Sequence, residues 1–241
     1  MLTWLGAVHI CVAQNGLLFG AYSGYHGDSV SYFDGKSPWA SGYTVNLGST
    51  GSSTNNNFGA NSRDSFSIRW VGFFKASVSG SYVFYMWGDD GCFFWLGSNA
   101  ISGYASGNQQ IYNNWYNGEI SATLSLDAGT YYPVRLMYGD GAGPDGFTFS
   151  FTVPGNSNRI YDGTGFYFPC APGYYCSSFA ITACPANTYN ALATSTASSD
   201  CLGCPTGRFS TITGASVCAS CAAGAYLSGG GCVSCAAGEC I

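Results

Sequence analysis

"FSIRWVGFFKASVSGSYVFYMWGDDGCFFWLG", residues 66–97, is the stretch that decides the fold class. Phe66, Ile68 and Trp70 alternate with Ser67 and Arg69, the period-two pattern of a strand with one buried face. After a Ser- and Gly-rich break, "SYVFYMW" (81–87) is aromatic and β-branched, and "CFFWLG" (92–97) has the same character. Between them stand two adjacent aspartates, Asp89 and Asp90, bracketed by Gly88 and Gly91. Glycine and aspartate favour turns, so 88–91 reads as a tight loop. Working outward, "SATLSLDAGTYYPVRLMY" (121–138) reads as two strands joined at Asp127-Ala128-Gly129, and "GFTFSFTV" (146–153) alternates again. No long 3.6-residue stripe is present. The expected class is all-β: an antiparallel β-sandwich followed by a small disulfide-rich tail.

Composition divides the 241 residues near position 165. All six tryptophans precede it, and ten of the twelve cysteines follow it. Residues 16–165 are read as the sandwich and 166–241 as cysteine-rich repeats. Residues 1–15 are read as a signal-peptide remnant without a basic start, or as a leading strand, in a chain that is a piece of something longer. The net charge is −5 and no Lys/Arg cluster exists, so no nucleic-acid footprint is expected. No apolar run reaches the roughly 18 residues of a membrane span. Twelve cysteines in a chain with 8% charged residues point to an oxidising, extracellular or cell-surface setting. No N-glycosylation sequon occurs, and the Ser/Thr runs at 49–54 and 194–199 read as loops open to O-glycans.

The tail repeats Cys-x-x-Gly-x-aromatic, a loop, then Cys-x-x-Cys, as in "CPTGRF" (204–209) and "CAAGAY" (221–226). Such units are too small for a core of their own, so disulfides must hold them. Closing each loop gives Cys184–Cys201, Cys204–Cys218 and Cys221–Cys232. Zinc is the rival, since Cys201-x2-Cys204 and Cys218-x2-Cys221 fit a ribbon spacing. A third pair and the charge-poor composition favour disulfides. The tail resembles the cysteine-rich repeats of ephrin receptors and protist surface proteins, which implies a spacer or assembly module. If the ten tail cysteines pair among themselves, Cys11 is left for Cys92; if residues 1–14 are removed, Cys92 must seek Cys170 or stay free.

Two carboxylates turned to one side repel unless a cation stands between them, and calcium, which takes six to eight oxygens, suits aspartates. A second acidic Gly-rich loop, "YGDGAGPDG" (138–146), carries Asp140 and Asp145 and flexible backbone carbonyls. Together the two loops would make a calcium cup at one end of a sandwich. "GLLFGAYSGY" (16–25), residues 66–97 and "LDAGTYYPVRLMYGDGAG" (126–143) resemble the protective-antigen-type β-sandwich of yeast flocculins, GLEYA-type and epithelial adhesins, bacterial toxins and some glycosidases. The resemblance implies that Asp89 and Asp90 are joined by a cis peptide and bind calcium. It also implies that Asp140 stands where the family usually has an Asn, and that carbonyls near Ala142 and Pro144 complete the ligands. In the adhesins the calcium also holds vicinal hydroxyls of a terminal sugar beside aromatic side chains. Trp115 and Tyr116, in the polar "YNNWYNGE" (112–119), are the candidates for that role, with Asp145 as an outer ligand. Trp95 lies in an apolar run and reads as core.

No nucleophile, phosphate or dinucleotide motif is present, and adjacent carboxylates holding one metal cannot serve as acid and nucleophile, so an enzyme is not expected. Two readings follow. One is a calcium-dependent carbohydrate-binding adhesion module, with a glycan or glycoprotein ligand, on a cysteine-rich stalk. The other is a building block of an extracellular filament, appendage or coat, partnered by copies of itself or other chains, with calcium at most a brace.

Overall fold

The computed structural model describes residues 14–44, 47, 64–143, 145–168, 170–177, 180–192, 195–229 and 231–236. Cys11, Pro144 and the 49–54 run lie outside them. The strands of the first part are β1 (Gln14–Asn15), β2 (Leu17–Ser23), β3 (Ala40–Thr44), β4 (Phe66–Lys75), β5 (Gly80–Asp89) and β6 (Gly91–Leu96). They continue as β7 (Ile111–Asn114), β8 (Ile120–Leu126), β9 (Tyr131–Asp140), β10 (Gly146–Thr152) and β11 (Phe166–Phe168). One antiparallel sheet runs β1-β11-β4-β9-β6-β7, with β2 also on β4 and β3 on β2; a 3-stranded sheet runs β10-β5-β8. The expected sandwich is present. Phe166–Phe168, placed with the tail by composition, hydrogen-bonds to β1 and β4 and belongs to the large sheet.

Two expected connections differ from their sequence reading. The 127–129 turn does join two strands, but not as a hairpin: β8 pairs with β5 in the small sheet and β9 with β4 and β6 in the large one. Likewise β5 and β6 lie in different sheets, with only Asp90 between them. The expected loop at 88–91 is therefore a corner made by two strand ends.

The inward faces meet in an aromatic core. Ile68, Trp70 and Phe74 of β4 face Tyr82, Phe84 and Met86 of β5 and Phe147, Phe149 and Phe151 of β10, all buried. Trp70 stacks on Phe147 with centroids 5.1 Å apart and planes 14° apart, joining the two sheets. Burying each such side chain stabilises the fold by about 1.5–3 kcal/mol. The outer face of the large sheet is also covered, which explains why β6 and β9 are buried along both faces. The turn Val30–Phe33 and the short helix α1 (Ser98–Ile101) cap Phe93, Trp95 and Met137. Trp95 is indeed core, and its Nε1 donates to Asn108 Oδ1 at 2.9 Å.

Farther along, the first tail hairpin covers Val71 and Phe73 with Cys170, Ala171, Cys176 and Ile181. The tail then stacks as short hairpins tied by backbone hydrogen bonds: Gly173 N to Asn190 O at 2.7 Å, Asn190 N to Ala215 O at 3.0 Å and Gly214 N to Cys184 O at 2.8 Å. Cys184–Cys201, Cys204–Cys218 and Cys221–Cys232 form as expected, and Cys170–Cys176 is an additional bridge. Cys235 is also disulfide-bonded. All four cysteines of the zinc-ribbon spacing, Cys201, Cys204, Cys218 and Cys221, are held in disulfides, so the zinc-ribbon reading falls.

Cys92 carries a free thiol, and Cys11, its favoured partner from sequence, lies outside the described residues. The Cys92 side chain is wholly buried under β5, where a Cβ built at Gly88 would lie 2.7 Å from its Sγ. Counting cysteines pairs them by number, whereas packing places this one as a small hydrophobe in the core.

Phe73 carries the joint between sandwich and tail, with its ring centroid 5.1 Å from that of Tyr174. Replacing it by alanine should cost about 3–5 kcal/mol of stability in denaturant unfolding. In the same variant, hydrogen exchange should speed up at 170–183 while the hairpins beyond keep their disulfide-held protection.

Candidate functional site

Strand register gathers the acidic residues at one end of the sandwich. Asp89, at the end of β5, lies opposite Gly146 of β10, which puts Asp145 beside it. Gly91 of β6 lies opposite Gly139 of β9, which puts Asp90 beside Asp140. The Asp89–Asp90 peptide is cis. Asp90 Oδ2 accepts from Gly141 N at 2.6 Å, and Asp90 N donates to Gly139 O at 3.2 Å. The Asp89 carbonyl accepts from Tyr138 Oη at 2.9 Å. These bonds fix the backbone of the corner and leave carboxylate oxygens for other work.

Asp140 is the most telling of the set. It is 1% exposed, and neither carboxylate oxygen has a hydrogen-bond partner. The Ser65 amide draws its pKa down somewhat but falls short of hydrogen-bond geometry. Burial, then Asp90 and Asp145, push its carboxyl up to about 7. Burial, Asp90 and Asp145 likewise raise Asp89, and burial raises Asp145. A buried carboxylate with no donor costs several kcal/mol when ionised, unless a cation meets it.

The donor set is all oxygen, which suits a hard cation such as calcium and not a thiol- or imidazole-seeking metal. Among the described residues no three His, Cys, Asp or Glu side chains form a ready-made cage. A cation here would have to draw on backbone carbonyls as well, as calcium commonly does. Ala142 is exposed in the loop after β9. Asp145, expected at the outer rim, is only 7% exposed and sits within the cluster instead.

Trp115 and Tyr116 stand beside the pair. Trp115 N donates to Asp90 O at 2.8 Å, which anchors the loop after β7 directly on the corner. The two side chains are 52% and 75% exposed, with ring centroids 3.8 Å apart. They form an aromatic shelf open to solvent.

Sequence reasoning missed the opposite wall. "GYHGD" (24–28) is a third acidic Gly-rich turn, and it closes over the corner. Buried His26 bridges the two: its Nδ1 accepts from Asp28 N at 3.0 Å, so its Nε2 carries the proton and donates to Gly91 O at 3.2 Å. Burial lowers the His26 pKa to about 4, which keeps the ring neutral. Tyr25 and Tyr112 hydroxyls donate to the two oxygens of Asp28 at 3.2 and 3.0 Å. The glycines at 91 and 139 make room for this turn. A Cβ at Gly91 would lie 2.5 Å from Asp28 Oδ1, and one at Gly139 would lie 2.6 Å from His26 Cδ2.

Comparison with known proteins agrees with this architecture. Residues 66–153 match the GLEYA domain model. A Schizosaccharomyces pombe protein named for cell agglutination, pfl4, is 38% identical over 93 residues, which are 35% of this chain and 15% of that protein. The chain thus spans 15% of the length of that curated relative. Among solved structures, the A domain of epithelial adhesin 9 from Candida glabrata, in complex with Galβ1-3GlcNAc, superposes with a TM-score of 0.51 at 19% identity. That superposition covers 64% of this chain and 89% of the adhesin domain. An anti-sigma factor domain-containing protein from Clostridium clariflavum superposes with a TM-score of 0.50 at 21% identity, covering 64% of this chain and 48% of its own. The solved structures share the fold, and one fold hosting such unlike proteins leaves function to be argued from the site.

The Asp140 environment sets a pH dependence. Between about 4 and 7 the metal-free native state holds a proton there that the unfolded chain has released, so this group's contribution to stability falls as pH rises through that window. His26 acts in the opposite sense between about 4 and 6.5. Thermal unfolding of wild type and Asp140→Asn across that range isolates the first effect. Without calcium, the variant should be the more stable above pH 7, and the gap should close toward pH 4.

Proposed function

We propose that this chain is a cell-surface carbohydrate-binding adhesion module whose ligand is held through calcium at the Asp89–Asp90 corner. The observation that carries the reading is Asp140, buried with both oxygens unpartnered beside the Asp89–Asp90 pair. Asp89, Asp90 and Asp140 would hold the ion, with backbone carbonyls near Ala142 completing its oxygen shell. Calcium supplies electrostatic attraction for sugar hydroxyls and neutralises carboxylates that otherwise repel one another.

The remaining work falls to the protein. Gly141 N fixes Asp90, and Tyr138 fixes the Asp89 backbone, so the carboxylates are set before a ligand arrives. Trp115 and Tyr116 offer apolar ring faces to the C–H face of a sugar while staying wet at their edges. The stacked disulfide tail serves as a stalk, and the site lies at the Phe66 end of β4, away from the tail contact at Phe73. The GLEYA match and the agglutination-protein relative support an extracellular, adhesive role, and the adhesin solved with Galβ1-3GlcNAc supports a glycan as ligand. The reading requires binding, with no catalytic step.

The test is a glycan array probed with and without calcium. Wild type should bind a defined set of glycans only with calcium, and Asp89→Asn should bind none. Trp115→Ala should keep calcium-induced thermal stabilisation and lose about tenfold in glycan affinity, equivalent to ~1.4 kcal/mol. An array blank in calcium would overturn the reading, and regular polymers seen by electron microscopy in that case would favour the extracellular building block.

A further inference from the structure

We infer that the site selects uncharged glycans and turns away acidic ones, with Asp28 as a specificity-determining residue at its rim. The inference rests on the glycan reading above and narrows its ligand class.

The first ground is where the negative charges lie. Asp89, Asp90, Asp140 and Asp145 share the corner by strand register. Asp64 adjoins it, because Phe66 pairs with Asp140. Asp28 stands on the other side of Gly91. The unpartnered, buried Asp140 carboxylate marks this as a place for a cation rather than a merely acidic surface. One divalent ion offsets two of these charges and leaves the rim negative.

The second ground is where the positive charges are. Each described Lys and Arg side chain is engaged with another group. Lys36 lies over the Tyr32 ring, Arg69 over Tyr22 and Phe33, Lys75 over Tyr131, and Arg135 over Tyr104. Arg159 pairs with Glu119, and Arg208 donates to Cys218 O in the tail. Among the described residues, a guanidinium or ammonium would have to leave its present partner to receive a sulfate, phosphate or sialic acid carboxylate at the rim; Arg63, next to Asp64 in sequence, lies outside them.

The third ground is how Asp28 is held. Tyr25 and Tyr112 clamp both its oxygens, and its amide is tied to His26, so an exposed charge is fixed in place. Tyr112 lies on β7 two residues before Asn114, which pairs with Gly91, and Trp115 follows Asn114. Asp28 and the aromatic shelf therefore flank the same glycine. A sugar lying on Trp115 would present its far side to Asp28. That carboxylate can accept from neutral hydroxyls or an amine, and it repels an anionic substituent.

The experiment compares twin glycans on one calcium-containing array: each neutral chain beside the same chain carrying sulfate or sialic acid. Neutral twins should bind at least about tenfold better at low ionic strength, and the ratio should shrink as salt screens the rim. Asp28→Asn keeps the shape of the side chain and should lower that ratio by about threefold. The ratio is insensitive to how much of a variant is folded. Acidic twins bound as well as neutral ones would overturn the inference while leaving the glycan reading standing. A ratio unchanged by salt and by Asp28→Asn would also overturn it. Binding of neither twin in calcium would overturn the glycan reading, and the inference with it.

Discussion

The chain changes sheets three times at the same end of the sandwich, and the burial of like charges at two of those crossings is the constraint on which the site depends. It passes from the small sheet to the large one at Asp89–Asp90, returns between Asn114 and Ile120, and, after crossing back at the far end, returns again between Asp140 and Gly146; the aspartates cluster at the first and last of these. Antiparallel register then leaves no freedom over which residues meet: Asp89 faces Gly146, and Asp90 sits beside Gly139 and Gly141. A corner this tight admits little side-chain bulk, hence the glycines. It also excludes water from Asp140, so the carboxylate pays for its place in a raised pKa or gains a cation.

The strands and the disulfides were legible in the sequence for simple physical reasons. Period-two alternation at 66–70 and 146–153 reports a pleated strand, although Ser67 and Ser150 on its polar side are buried as well, and the cysteine spacing reports loops that only a bridge can close. Sheet partition was not legible. A single residue between β5 and β6 reads locally as a hairpin turn, and only the pairing of β6 with β9 rather than with β5 shows the crossing. The glycines at 88 and 91 were misread on the same basis. They signal turns by composition, but they serve close approach, to Cys92 in one case and to Asp28 in the other.

Part of the site was legible through the Asp-Asp pair and the later acidic loop. The cis peptide, implied by resemblance, is present. The turn at 24–28 was not recognised, because its partners lie 65 residues away at Gly91 and 84 away at Tyr112. Pairings of that range leave no local pattern. Asp145 was misplaced for a related reason: an aspartate in a Gly-rich turn is usually wet, and here the register of β10 against β5 draws it in.

The tail bears on the site through geometry. Its first hairpin packs on Phe73, seven residues along β4 from Phe66, or about 23 Å at the rise of a strand. A stack of hairpins tied by disulfides and backbone hydrogen bonds thus meets the sandwich at Phe73 and not at the acidic corner. The most direct measurement is a crystal structure grown with calcium, with anomalous scattering to locate the ion. The expected result is one ion in contact with Asp89, Asp90 and Asp140, with a coordination position open toward Trp115. An Asp140 carboxylate that stays free of metal at saturating calcium would contradict the assignment.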